Sequence, residues 1–189
     1  MLPYPTGFYR LLYRMPLTLY RLGLGGLLNL ASIMVLTTRG RSSGLPRYTP
    51  IEYRPHGSKI YAVSGWGERP NWVRNLTADP NVCLRQGQRA FAARAQVVED
   101  SSEALRVLHL FRKRAPAFYD SLIARTSGEA EVNNRTLPDV SRQLTIVRFD
   151  SAPDAGDLPA IQADLKWVWL VALLAGVVLA LLRRGDHHA

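Results

Sequence analysis

The sequence predicts an α+β protein: a meander or barrel of short β-strands with short helices, followed by one apolar C-terminal helix. Between residues 33 and 98 the chain is a series of short runs rich in β-branched and aromatic residues, divided at even intervals by Gly, Pro or Asn clusters. Helical spacing interrupts that series at 69–79 and takes over at 102–125. Near the C-terminus, Trp167–Leu182 is a run of sixteen residues without a charge. The 189 residues suit one domain with a sizeable core and an appendage, since single domains run to roughly 100–200 residues.

Each element has its own signal. In residues 8–30, Phe8, Leu11, Leu12, Met15, Leu19, Leu22 and Leu27 recur at spacings of three and four, with Arg10, Arg14 and Arg21 off that stripe. This is an amphipathic helix, which fits either an anionic membrane surface or the domain's own sheet. Strands are expected over Ile33–Thr38, Tyr48–Tyr53, Lys59–Ser64, Val82–Arg85 and Ala90–Val98, with Gln143–Phe149 closing the set. The helix at 69–79 is stopped by Asp79-Pro80. The helix at 102–125 is expected to be capped by Ser102 and divided or kinked at Pro116. Residues 151–165 are a linker rich in Asp, Pro, Ala and Gly. The chain thus divides into 1–30, an amphipathic segment; 31–150, the β domain; 151–165; and 166–184, an anchor. At about 1.5 Å per residue the apolar run alone is slightly short for a bilayer core of roughly 30 Å. Lys166, Arg183 and Arg184 can snorkel, however, and Trp167 and Trp169 suit the interface, so a transmembrane anchor is expected.

Charge is unevenly placed. Of the formal +9, residues 1–60 carry eight Lys or Arg against the single acid Glu52. Such a field favours anionic partners: phosphate-bearing cofactors, lipid headgroups or nucleic acid. No zinc-finger, RRM or KH signature is present, so no nucleic-acid partner is expected. Cys83 is alone, which excludes an intrachain disulfide, and its strand context marks it as a small buried residue. His56, His109, His187 and His188 show no metal-ligand spacing, and no metal is expected.

Two segments could carry chemistry. Thr37-Thr38-Arg39-Gly40-Arg41-Ser42-Ser43-Gly44-Leu45-Pro46-Arg47 is a loop between strands. Its glycines allow close backbone approach, Ser42 and Ser43 offer hydroxyls, and Arg41 and Arg47 can clamp an anion. It lacks the Gly-Lys-Ser/Thr of a Walker loop, and by spacing alone an ordinary hairpin turn with exposed arginines is the better reading. The second is Ser64-Gly65-Trp66-Gly67-Glu68-Arg69-Pro70-Asn71-Trp72-Val73-Arg74-Asn75-Leu76. There a strand ends in a small-residue turn and enters a helix, leaving a surface for a planar ring that Trp66 or Trp72 could cover. Trp72 suits the core equally well.

Together with Ala78-Asp79-Pro80 and the strand Ala90–Val98, these segments resemble the deazaflavin (F420)-dependent nitroreductase family over about residues 30–100. The resemblance implies a split β-barrel related to folds that bind flavin mononucleotide (FMN), with F420 as cofactor. It implies that Arg41, Ser42, Ser43 and Arg47 hold the cofactor phosphate and that Ser64, Gly65, Gly67 and Trp72 shape the ring pocket. Tyr119 is a candidate proton donor or substrate-wall residue. The activity implied is hydride transfer to a quinone-like or nitro acceptor, which needs no protein nucleophile. Trp66, the Arg- and Tyr-rich N-terminus and the anchor depart from the family's usual pattern. They keep open a cofactor-free accessory subunit of a membrane complex, and FMN remains an alternative cofactor. With the anchor, the expectation is a single-pass protein whose barrel faces the cytoplasm, with membrane lipid and a quinone-like molecule as partners.

Overall fold

Period-two alternation builds the centre of the molecule. The computed structural model describes residues 8–114, 119 and 144–165, with side chains from residue 13 onward. Among the described residues seven strands form one sheet: β1 (Ile33–Arg39), β2 (Pro46–Glu52), β3 (Arg54–His56), β4 (Lys59–Ser64), β5 (Asn81–Gln86), β6 (Arg89–Val97) and β7 (Thr145–Ser151). Their order is β2-β1-β5-β6-β7-β4-β3, with every neighbouring pair antiparallel. Because β2 and β3 are separated in sequence by Tyr53 alone yet stand at opposite ends of that order, the sheet curls until its two edges meet. The result is the half-closed sheet of a split barrel.

The alternation separates two surfaces. Met34 and Leu36 of β1, Ala62 of β4, Leu84 of β5 and Val147 and Phe149 of β7 point inward and form one buried core. Ile33 and Val35, or Tyr61 and Ile146, are out of phase with these and face outward, where helices cover them. α1 (Phe8–Arg21) and α2 (Gly25–Leu30) cover β1 and β2 through Tyr20 and Leu28, joined by Ile161. α4 (Ser101–Arg114) lays Ala104, Val107, Leu108 and Phe111 on Tyr61 and Ile146. α3 (Asn71–Ala78) buries Val73 and Leu76 and adds Leu76 to the barrel core.

The structure corrects several local expectations. The single helix expected over 8–30 is two helices, because Gly23 turns left-handed at φ +80° and ends α1, with the Leu24 N–H returning to the Leu19 carbonyl at 2.9 Å. Asp100, not Ser102, caps α4: its Oδ1 accepts from the Glu103 N–H at 2.6 Å, the geometry of a side chain three residues upstream. β3 escaped the strand reading because it is three residues long with Pro55 at its centre, which an edge strand tolerates. The described part of the helix expected over 102–125 runs to Arg114, and the Pro116 break lies outside the described residues. So does the anchor run at 166–184. Among the described residues no helix is long and apolar enough to cross a membrane. Cys83 is buried in β5 as expected, and burial pushes its thiol pKa up.

Tyr20 shows what fastens the N-terminal helices to the barrel. Its ring is buried, and its hydroxyl accepts from the Gly87 N–H at 3.1 Å and faces the carbonyls of Ile33 and Arg85 at 3.0 and 3.1 Å. Tyr20→Phe keeps the ring but leaves these buried groups unpaired, which costs about 1–3 kcal/mol. The expected outcome is a lower urea midpoint with an unchanged slope.

Candidate functional site

The loop at residues 40–45 is built by its own backbone. The Gly40 N–H meets the Leu45 carbonyl at 2.9 Å, and the N–H groups of Ser43 and Gly44 meet the Gly40 carbonyl at 3.1 and 2.7 Å. Gly44 takes φ +67°, and a Cβ on Gly40 would stand 2.7 Å from Ser43 Oγ, so both glycines are required. These amides are occupied within the turn, and the groups the loop can offer an anion are largely side chains. Ser42 and Arg41 are exposed at its tip. Ser43 Oγ accepts from Arg47 Nη2 at 3.1 Å and from the Leu45 N–H at 3.4 Å.

The loop is docked on α3. Asn75, buried, donates from Nδ2 to Thr38 Oγ1 at 3.1 Å and accepts at Oδ1 from the Arg41 N–H at 3.3 Å and from Arg41 Nη1 at 3.2 Å. Arg41 Nη1 also reaches Asn71 Oδ1 at 3.1 Å. Asn71 and Asn75 stand four apart and share a helix face. Sequence reasoning quoted both without giving them a role, and the signal that could have found them is that i, i+4 pair of amides. The contact brings the loop to the start of α3, directly after the turn at 64–70. The two segments expected to cooperate therefore flank the same helix end.

The turn itself is closed by Ser64, whose buried Oγ donates to the Gly67 carbonyl at 2.6 Å, with Gly67 at φ +59°. The Ser64 hydrogen is thus committed to shaping the turn. Gly65 follows it, half-buried. The Trp66 ring packs edge-on against Tyr13 of α1, with centroids 6.0 Å apart. Trp72 is half-buried and packs on the barrel core.

Electrostatics distinguish the loop's cations from their neighbours. Arg39 is paired with Asp79 at 3.1 Å and Asp157 at 3.3 Å. Arg41 and Arg47 bond neutral amide and hydroxyl oxygens instead. Two exposed guanidiniums held in place by uncharged partners fit the phosphate of a nucleotide-like cofactor: they are oriented but not neutralised.

Tyr119 stands elsewhere. It is buried against Phe111, with rings 5.6 Å apart, and its hydroxyl donates to Glu52 Oε2 at the far end of β2 from the loop. A seven-residue strand puts about 20 Å between those ends. Burial, then the Glu52 carboxylate, push its pKa far up. Glu52 also binds Arg54, which lies over the Phe111 ring at 5.0 Å with its Nε unpaired. A cavity of about 400 Å³ lies apart from the loop, between the β3–β4 turn and the start of α4, lined by His56, Lys59, Tyr61, Asp100, Glu103 and Arg106. Its carboxylates are engaged: Asp100 caps α4, and Glu103 accepts from Tyr61 Oη at 2.7 Å and from Arg148 Nη1 at 3.1 Å. Among the described residues no group of His, Cys, Asp and Glu could hold a metal.

A curled antiparallel sheet with a cationic, glycine-shaped loop docked on a short helix defines a split-barrel protein with a cationic rim. The chain belongs to the F420H(2)-dependent quinone reductase family, whose model matches residues 13–134. Similar solved structures include an F420-H2 dependent reductase, 20% identical over 63% of this chain and 94% of that one, TM-score 0.46. A conserved hypothetical protein from Mycobacterium tuberculosis is 18% identical over 68% of this chain and 78% of that one, TM-score 0.45. The heme storage protein of Vibrio cholerae is 16% identical over 64% and 82%, TM-score 0.46.

Two outcomes test this geometry. Asn75→Ala strands Thr38 Oγ1 and the Arg41 N–H, so it is expected to lower stability by about 1–3 kcal/mol and to raise hydrogen exchange selectively in residues 40–45. Glu103 is held below its ordinary pKa of 4.5, first by the Tyr61 hydrogen bond and then by Arg148, while Tyr61 is pushed up to about 12 by burial and then by Glu103. A depressed carboxyl stabilises the fold above its unfolded pKa, and that contribution disappears as pH falls through the folded value. Denaturation midpoints from pH 7 to 3 should therefore fall less steeply for Glu103→Gln than for the parent.

Proposed function

We propose that this chain is a reductase that uses reduced F420 to transfer hydride to a quinone-like acceptor, with nitro compounds as the secondary class. The observation that carries this reading is the pair Arg41 and Arg47, fixed by neutral partners, Arg41 on Asn71 and Asn75 at the start of α3 and Arg47 on Ser43 within the loop; membership of the quinone reductase family supports F420 as the cofactor and a quinone as the acceptor. When bound, the reduced deazaflavin supplies the hydride. The chain's own part is binding and orientation. Arg41 and Arg47 hold the phosphate, Ser42 and Ser43 add hydroxyls to it, and Gly65, Gly67 and Trp72 border the ring with Ser64 fixing their turn. Asn71 and Asn75 keep Arg41 in position, which converts a flexible cation into an oriented one. FMN would satisfy the same phosphate donors, and absorbance of the bound species separates the two.

The acceptor is set near lipid by the second half of the reading: residues 166–184 as a single-pass anchor with the barrel on the cytoplasmic side. Its support is the sixteen-residue uncharged run between Lys166 and Arg183. The rival reading, a cofactor-free accessory subunit, relies on Trp66 filling the groove. The packing of that ring on Tyr13 speaks for the enzyme.

Titration of the full-length protein with reduced F420 tests the proposal. Saturable binding is expected, weakened roughly 10–100-fold by Arg41→Ala or Arg47→Ala, the loss of one charge-assisted contact, and followed by oxidation of the cofactor when a quinone is added. Absence of saturation, or an affinity in both variants equal to that of the parent, rejects it.

A further inference from the structure

Seven large hydrophobic side chains are exposed among the described residues, and five of them, Tyr13, Met15, Leu24, Leu27 and Leu30, lie between residues 13 and 30. Leu27 and Leu30 are 62% and 73% exposed. Tyr13 packs on Trp66, but soluble surfaces scatter such residues singly, and the cluster Leu24, Leu27 and Leu30 marks a contact face. A sixth, Leu165, belongs to the same place: its Cδ2 lies 2.7 Å from where a Cβ on Gly23 would stand, and the Asp164 N–H donates to the Arg21 carbonyl at 2.7 Å. The rim is cationic. Arg14 and Arg21 are exposed on α1, and Arg114 Nη2 meets the Leu30 carbonyl at 2.9 Å. Arg89 follows Gly87, which abuts Asn29 of α2. Asp164 is the acidic neighbour, and residues 1–51 contain no acid at all.

We propose that α2, with Leu24, Leu27 and Leu30 outward and Leu165 beside them, docks onto an anionic lipid bilayer. Leucines framed by arginines are the chemistry of an interfacial segment: apolar area enters the acyl boundary while guanidiniums meet headgroup phosphates. The chain itself points to the occupant. Immediately beyond Leu165 come Lys166 and the sixteen-residue apolar run, and Leu165, the residue before them, stands at this face. A second copy of the chain fits less well, because it would set two arginine rims against each other. The inference rests on the anchor reading for its occupant and adds an orientation to it. β1 starts beside α2 and ends at the candidate phosphate loop, so a seven-residue strand holds that loop about 20 Å from the docking face, in water.

The experiment uses full-length protein reconstituted in phosphatidylcholine vesicles containing phosphatidylglycerol. Leu27→Cys, Leu30→Cys and Ser102→Cys are each labelled with an environment-sensitive fluorophore; buried Cys83 is controlled by labelling the parent. Ser102 lies twelve residues before Arg114 on α4, about 18 Å along the helix. Labels at 27 and 30 are expected to shift to the blue and to be quenched severalfold more than the label at 102 by a lipid carrying a spin label on its acyl chain. A protein that floats with the vesicles while all three labels stay equally in water overturns the docking face and spares the anchor. A protein that does not float overturns both. Disulfide-linked pairs of Leu27→Cys at low protein density would place a second copy on the face and overturn lipid as its occupant. Equal quenching without phosphatidylglycerol overturns the anionic preference.

Discussion

The candidate site depends on one buried side-chain amide. Asn75 projects from the second turn of α3, gives its donor to Thr38 of β1 and takes two hydrogen bonds from Arg41. A carboxamide can do this because it carries donor and acceptor on one rigid plane. An aspartate would lack the donor, and a leucine would leave Thr38 Oγ1 and the Arg41 N–H unpaired. Through this group the hairpin tip, folded by its own backbone and glycines, is oriented on the barrel, and the guanidinium of Arg41 leaves the loop in a defined direction. Leu76, the next residue, enters the barrel core, so the helix that carries the amide is itself anchored by apolar packing.

Much of this was legible in the chain, and the failures have physical causes. The strands from 33 to 97, the three-residue β3 excepted, could be read because one face of each is packed in the barrel and the other is covered or solvated, which imprints alternation. The loop's glycines and arginines were visible for the same reason that they are functional candidates: turn backbone and free charge are local properties. What could not be read depends on distant contacts. The amide pair of Asn71 and Asn75 acquires meaning only once β1 brings the loop over α3, and the commitment of the Ser64 hydroxyl to Gly67 only once the turn closes. Tyr119 was grouped with the site by sequence order; the fold places its hydroxyl on Glu52, at the other end of β2. The break at Gly23 was hidden because the apolar stripe of the first helix continues across it.

The molecule has two dissimilar poles. At one, cations are exposed and held by uncharged partners. At the other, Tyr20 ties α1 to the β5–β6 turn and leucines are left outward while arginines stand around them. Between them lies the apolar core of the barrel. The proposed phosphate site and the proposed docking face are thereby separated by the length of one strand.

The strand order also has a consequence for how the chain is made. β1 with β2, and β5 with β6, are hairpins of adjacent segments, but β4 has β7 as its bridge to the rest of the sheet, and β3 hangs on β4. Contacts of such long sequence separation form late and slowly. During synthesis, the ribosome must therefore release residues 145–151 before the half containing β3 and β4 can be stitched to the half that carries the loop. Until then the nascent chain exposes the open edge of β6, a state that chaperones rather than packing must guard.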